Sequence, residues 1–272
     1  MNAYIRMFRM VNAVMGVVGA IVAAFIAAGT GMVDSWVNIL LMAAVVFLFV
    51  GGGNSLNDSI DYEIDKVSHP ERPVPRGEIT PENAKKAGLI LLAASVVVSV
   101  FTFDVAAIIL VLIAAVLMVA YETALKQRGF VGNVTIAVLT GMVFLVGAAM
   151  VGPWTENLYI AAMAAAVSVG REISKDIEDM EGDEGRLTLP MRIGAGKAAA
   201  VACAFYLAGV AMSVIPLVFG MYSILYAIVV VADAFFAVSA ASVFKSPHKA
   251  QKMAKFGMLW GLVAFILGAI YI

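Results

Sequence analysis

The sequence predicts an all-α membrane protein: nine transmembrane helices around a central cavity, with an active site at the cytoplasmic face. Three observations predict it. Apolar residues make up 62% of the 272 positions and charged residues only 14%, against about 45–50% and about 25% in soluble domains. Apolar runs near the roughly 17–25 residues that a span needs recur along the whole chain. The 18 Lys and Arg residues all fall in alternate connections between those runs, as basic residues do on the inner side of a membrane.

The first span is predicted at 10–33, after Arg6 and Arg9. Its uncharged run exceeds the ~7–15 residues of a signal-peptide core, so it is read as a retained helix. The second lies at 35–57. The third, at 82–103, opens on Thr80-Pro81-Glu82, a cap, a first-turn proline and a first-turn acid. Only Asp104 separates it from the fourth, at 105–121. The fifth, at 130–151, is closed by Gly152-Pro153. The apolar run 157–170 is too short alone, so the sixth span is placed at 154–175, drawing on Arg171–Lys175. The run 198–232 is too long for one span. Pro216 and Gly220 divide it into a seventh at 197–219 and an eighth at 221–244. The ninth is predicted at 254–272. The chain then reads as one polytopic domain, 1–272, with motif loops at 58–80 and 176–194.

Basic residues test this count. Arg6 and Arg9 precede the first span. Lys66, Arg72, Arg76, Lys85 and Lys86 follow the second, Lys126 and Arg128 the fourth, Arg171 to Lys197 the sixth, and Lys245 to Lys255 the eighth. The other side carries only Asp34, Asp104 and Glu156. This predicts a multi-pass protein of the cell membrane with its N-terminus cytoplasmic and its C-terminus external. The group at 245–255 is expected to neutralise anionic lipid headgroups. The net charge of −1 identifies no partner, and neither a nucleic acid nor a protein partner is expected. Cys203, the single cysteine, forms no disulfide within the chain and reads as a small core residue.

Two acidic stretches follow even-numbered spans. In the first, Asn57, Asp61 and Asp65 recur every four residues, one face of a helix. Asp58 and Glu63 lie among them. A solvated interfacial helix is one reading. Acids crowded without an adjacent cation also repel one another, and a divalent cation relieves that repulsion. Mg²⁺ takes oxygen ligands and keeps phosphate oxygens in its shell. In the second stretch, Arg171, Lys175, Asp179 and Asp183 are again four apart. Ion pairing along a helix is one reading. Ionisable residues at the end of a span are costly and mark function. Together the stretches read as a two-metal diphosphate site. Two ions clamping a diphosphate stabilise the charge that develops as its C–O bond breaks. Lys or Arg adds phosphate contacts, for which Arg72, Arg76, Lys126, Arg128, Lys175 and Arg186 are candidates. The loop between the second and third spans, with Pro70, Pro73 and Pro75, reads as a lid or as a plain connector.

Asn57-Asp58-x-x-Asp61-x-x-x-Asp65 followed by Arg72-Pro73-x-Pro75-x-Gly77, with Lys175-x-x-x-Asp179-x-x-x-Asp183, resembles the two signatures of the UbiA superfamily of intramembrane prenyltransferases. The nine-span pattern extends the resemblance over the whole chain. It implies two Mg²⁺ ions held by Asn57, Asp61 and Asp65 on one side and Asp179 and Asp183 on the other, bridging a prenyl diphosphate. Asp61, Asp65, Asp179, Asp183 and Lys175 would carry the catalysis. Arg171 stands where the superfamily often has Tyr. The wording of 57–77, 121–133 and 175–194 resembles the branch that joins a geranylgeranyl group to the secondary hydroxyl of geranylgeranylglyceryl phosphate, the second ether bond of archaeal lipids. That implies a prenyl diphosphate, a lipid-phosphate acceptor and membrane lipids as partners, with Lys126 and Arg128 receiving the acceptor phosphate. An aromatic acceptor, as in quinone or chlorophyll synthesis, is the alternative within the superfamily. A cation transporter is the alternative outside it, although its acids belong near mid-membrane. Behind these residues stand Asp58, Asp176, Asn12, Tyr121, Arg171 and Asp233, the last an acid inside the eighth span.

Overall fold

The computed structural model describes residues 2–181 and 187–270. Among them there is no strand, and nine helices of fourteen residues or more. These are α1 (Met10–Ala28), α2 (Trp36–Ile60), α3 (Pro81–Val100), α4 (Val105–Ala120), α5 (Phe130–Ala149), α6 (Leu158–Glu178), α7 (Ala195–Val218), α8 (Val229–Ser242) and α9 (Pro247–Ala269). Short helices at Ala3–Met7, Tyr62–Ser68 and Leu189–Ile193 lie before α1, after α2 and before α7.

Seven segments among the described residues are long and apolar enough to cross a membrane, where nine spans were expected. Two features account for the difference. Met10–Ile60 is one unbroken helical segment, in which the 3₁₀ turn Gly29–Ser35 joins α1 to α2. α6 falls outside the seven because its last two turns carry Arg171, Glu172, Lys175, Asp176 and Glu178.

Helix starts follow local chemistry. The Thr80 hydroxyl accepts from Asn83 N–H at 3.2 Å, with Pro81 in the first turn of α3. Asp104 accepts from Ala107 N–H at 2.7 Å and caps α4. Ser246 and Pro247 start α9 well before the predicted 254. Lys249 and Lys252 are therefore helical rather than part of a connector.

The core has two main parts. One joins α5 to α9 around Ile173, Tyr206, Tyr226 and Val229; the other packs α1, α2, α4 and α5 around Met42, Val45, Val111 and Met150. Fully buried Asn157 ties α1 to α5: its amide donates to Ala23 O at 2.8 Å and Phe144 O at 3.0 Å. Outward faces carry exposed Val18, Leu40, Ile90, Val116 and Val230, as helices facing lipid do.

α2 and α3 cross through glycine. A Cβ on Gly52 would lie 3.0 Å from Gly88 O, and one on Gly88 2.9 Å from Leu56 N. Such small-residue crossings let membrane helices approach closely, and this one lies directly before Asn57. The proline-rich segment 69–79 packs down rather than standing free. Val74 and Ile79 are buried with Met7 of the N-terminal helix and Ala84 of α3.

Candidate active site

The first motif begins inside α2 and leaves it at a bend. α2 ends at Ile60, and Asp61 (φ −84°, ψ 9°) joins it to Tyr62–Ser68. The four-residue backbone ladder survives the bend: Asp61 N–H donates to Asn57 O and Asp65 N–H to Asp61 O, both at 2.8 Å. Asn57, Asp61 and Asp65 thus keep their spacing, but their side chains find different partners.

Asn57 and Asp61 face the end of α4. The Asn57 amide donates to Asp61 Oδ2 at 3.1 Å and to Glu122 Oε2 at 3.3 Å. Lys126 Nζ reaches Asp61 Oδ2 at 2.5 Å and Glu122 Oε2 at 3.3 Å. Glu122 and Lys126 are delivered by a π-helical turn, Tyr121–Leu125, that follows α4. Such turns recur at functional sites. Glu122 is buried, and it was not among the sequence candidates. Its one signal there is an acid four residues before Lys126, just past an apolar span.

Asp65 turns toward Arg72, 2.5 Å from its guanidinium, and is 3% exposed. Asp58, only 1% exposed, pairs with Arg9 and lies 3.7 Å from Arg72. Arg9 adopts the left-handed conformation (φ 52°) at the start of α1. It also donates to Asn57 Oδ1 at 3.4 Å. Asn57 therefore links two ion-paired nodes, one with Asp61, Glu122 and Lys126, the other with Asp58, Asp65, Arg9 and Arg72. Arg9 was read only as a topology signal. Arg76 pairs with Glu78 at 3.2 Å, and Glu78 also pairs with Arg6. At the exposed rim, Glu63 accepts from Lys66 at 2.9 Å and raises that ammonium above its ordinary pKa. Arg128 is exposed, as is Asn12 in the first turn of α1, and Tyr121 is half-buried.

The second motif lies on the last turns of α6. Lys175 and Asp179 are exposed, and Asp179 N–H donates to Lys175 O as the helix ends. Asp176 accepts from Asn133 at 2.8 Å. Asp183 and Arg186 lie outside the described residues. The connector from α4 to α5 reaches both motifs: Lys126 contacts Asp61, and Asn133, at the start of α5, contacts Asp176. At Gly129 (φ 62°) a Cβ would meet Leu187 O at 2.9 Å, so the connector also lies against the chain that follows the second motif.

A cavity of about 470 Å³ opens between α1, α5, α6, α7, α8 and α9. Its wall is apolar apart from Thr140, Arg171, Ser213, Asp233 and Lys255. Asp233 accepts from the Ser213 hydroxyl at 2.8 Å. Lys255, expected among headgroup contacts, is exposed and also lines this cavity.

The donors around Asn57 suit a hard divalent cation, since Asn57, Asp61 and Glu122 offer carbonyl and carboxylate oxygens. Among the described residues no three His, Cys, Asp or Glu side chains converge tightly enough to hold a metal ion. The Lys126 ammonium supplies positive charge between Asp61 and Glu122. Chemically, the cluster can neutralise an incoming polyanion at the ends of apolar helices.

Known proteins resemble the chain throughout. The digeranylgeranylglyceryl phosphate synthase of Methanosphaera stadtmanae is 35% identical over 278 residues, covering 99% of this chain and 100% of the relative. That of Thermococcus kodakarensis is 37% identical over 264 residues, covering 94% and 92%. A solved structure reported for digeranylgeranylglyceryl phosphate synthase superposes with a TM-score of 0.84 at 33% identity, covering 99% and 98%. A UbiA homologue from Archaeoglobus fulgidus, bound to GPP and Mg²⁺, shares the fold at a TM-score of 0.66 and 14% identity, covering 99% and 100%. The UbiA prenyltransferase family matches residues 17–266, and with seven apolar helices this makes a multi-pass membrane protein. The chain belongs to the UbiA prenyltransferase family.

Proposed function

We propose that this prenyltransferase transfers a geranylgeranyl group from geranylgeranyl diphosphate to the secondary hydroxyl of geranylgeranylglyceryl phosphate. The products are the diether, diphosphate and a proton. The observation that carries the reading is the oxygen cluster of Asn57, Asp61 and Glu122, balanced by Lys126 at the ends of apolar helices. It stands in a chain 35% identical over its length to an enzyme of that name.

Mg²⁺, two ions in this reading, would be held by Asn57, Asp61 and Asp65 on one side and Asp179 and Asp183 on the other. When bound, it neutralises the diphosphate and stabilises the charge of the departing group. The Archaeoglobus fulgidus homologue, a neighbour in fold, is bound to GPP and Mg²⁺, which supports the use of a divalent metal. The chain's own residues do the rest. Lys126, Arg72 and Lys175 supply positive charge to the diphosphate oxygens. Glu122 and Asp58 fix the direction of Asn57, Lys126 and the two arginines. Apolar helices exclude water from the allylic cation left when the C–O bond breaks, and the acceptor oxygen then bonds to that carbon.

In this reading all nine long helices span the membrane, the motifs face the cytoplasm, and the C-terminus is external. The distribution of basic residues supports that orientation. Purified protein with Mg²⁺, geranylgeranyl diphosphate and the glyceryl phosphate ether is expected to yield the diether, read by mass spectrometry. No diether, with prenylation of an aromatic acid instead, overturns the reading in favour of an aromatic acceptor.

A further inference from the structure

Helices α6 and α9 run antiparallel and are fastened at one end. Glu178, the last residue of α6, contacts His248 in the first turn of α9 at 2.8 Å and also accepts from Gln251. Counting seven positions back along α6 reaches Arg171, and seven positions forward along α9 reaches Lys255. Seven residues are two helical turns, so each stays on the face that makes the Glu178–His248 contact. Both then lie about 10 Å further in, at matching depth. Both line the 470 Å³ cavity.

Arg171, half-buried, and Lys255, exposed, face one largely apolar chamber whose lining also holds the carboxylate Asp233, which accepts from Ser213. Arg171 is partly answered by Glu172, which takes one terminal nitrogen. Its Nε is buried and has no hydrogen-bond partner among the described residues. Lys255 is exposed and pairs with no carboxylate among the described residues. Several cations nearer the first motif have carboxylate partners, Lys126 in Asp61 and Glu122, Arg72 in Asp65, Arg9 in Asp58 and Arg76 in Glu78, while Arg128 is exposed.

We propose that Arg171 and Lys255 form an anion clamp, two turns inside the helix ends, for the phosphate monoester of the lipid acceptor. The clamp rests on the proposed function and adds to it a specificity site for the second substrate. A doubly charged monoester matches two cations, one a planar fork and one a point charge. The acceptor's own chain then enters the apolar part of the same cavity. The diphosphate of the donor is left to the motif residues at the helix ends.

The test uses the full-length protein in detergent with Arg171→Gln, Lys255→Gln and the charge-keeping Arg171→Lys and Lys255→Arg. Each neutral variant is expected to raise KM for the glyceryl phosphate ether roughly ten- to hundredfold, leaving KM for the prenyl diphosphate within about twofold. The wild type is expected to prefer the phosphorylated ether over the same ether alcohol, and the neutral variants to lose that preference. The charge-keeping variants retain most of it. Equal rises in both KM values, or equal losses in all four variants, overturn the clamp. Binding is read separately, as thermal stabilisation by the glyceryl phosphate ether without donor. If the wild type is stabilised and the neutral variants are not, the clamp stands even where no diether forms and the proposed reaction fails. No stabilisation of the wild type overturns the clamp itself.

Discussion

Lys126 contacts the Asp61 carboxylate across 65 positions of chain, with each side chain 12% exposed. The pair closes the end of α4 onto the end of α2 and holds Glu122 beside it. Removing one partner of a buried ion pair strands the other charge. Lys126→Met leaves Asp61 and Glu122 facing each other and is expected to destabilise the protein by about 3–5 kcal/mol. Adding Asp61→Asn to that variant restores part of the loss, while prenyl transfer stays abolished. Thermal unfolding in detergent, run on both single variants and the double, measures the coupling; strict additivity contradicts it.

Glu122 touches Asn57 and Lys126 rather than standing in either motif. Its proposed part is to orient metal ligands. Substitutions of such supporting groups typically weaken metal affinity or activity ~10–100-fold. Glu122→Gln is therefore expected to raise the Mg²⁺ concentration for half-maximal rate by about tenfold or more. A Mg²⁺ titration at saturating donor reads this directly, and an unchanged midpoint removes Glu122 from the site.

Asp58 is the most deeply buried acid of the first motif, and Arg9 is its nearest cation. Arg9→Gln leaves Asp58 with Arg72 at 3.7 Å. A loss of about 3 kcal/mol is expected, largely recovered by Asp58→Asn. Chemical unfolding of the three variants decides whether Arg9 acts through Asp58.

Gly88 bears on how closely α2 meets α3. A side chain there has no room, since the first added carbon already meets Leu56 Cγ at 2.7 Å and Gly52 O at 3.0 Å. Gly88→Val is expected to cost about 1–3 kcal/mol through overpacking. It should also lower the rate by moving Asn57 off the end of α4. Gly196, with open space around its position, provides the control: Gly196→Ala should leave thermal unfolding unchanged.

Hydropathy made most long helices legible, because each buries or exposes an apolar run of membrane length. α6 was hard to place for the reason that makes it useful: its final turns exchange apolar residues for Arg171, Lys175 and Asp176. The start of α9 was missed because its first two turns are basic and read as a connector. Four-residue spacing located Asn57, Asp61 and Asp65 but not the sorting of their partners. That sorting depends on the bend at Asp61 and on residues distant in sequence. Arg9 and Glu122 carried too little local pattern to single them out, since a terminal arginine is explained by topology and an acid after a span by solvation. Their roles arise only where α1, α2 and α4 meet. His248, to which the sequence assigned nothing, fastens α9 to α6.

The wide turn at Tyr121–Leu125 makes the chain's length there a matter of phase. A π-helical turn holds one residue more than an α-helical one, so deleting Thr123 or Ala124 would bring Glu122 and Lys126 from four positions apart to three and break the shared reach toward Asp61. Descendants of this chain can thus vary freely in the identity of Thr123 or Ala124, both exposed, while remaining intolerant of any change in their number.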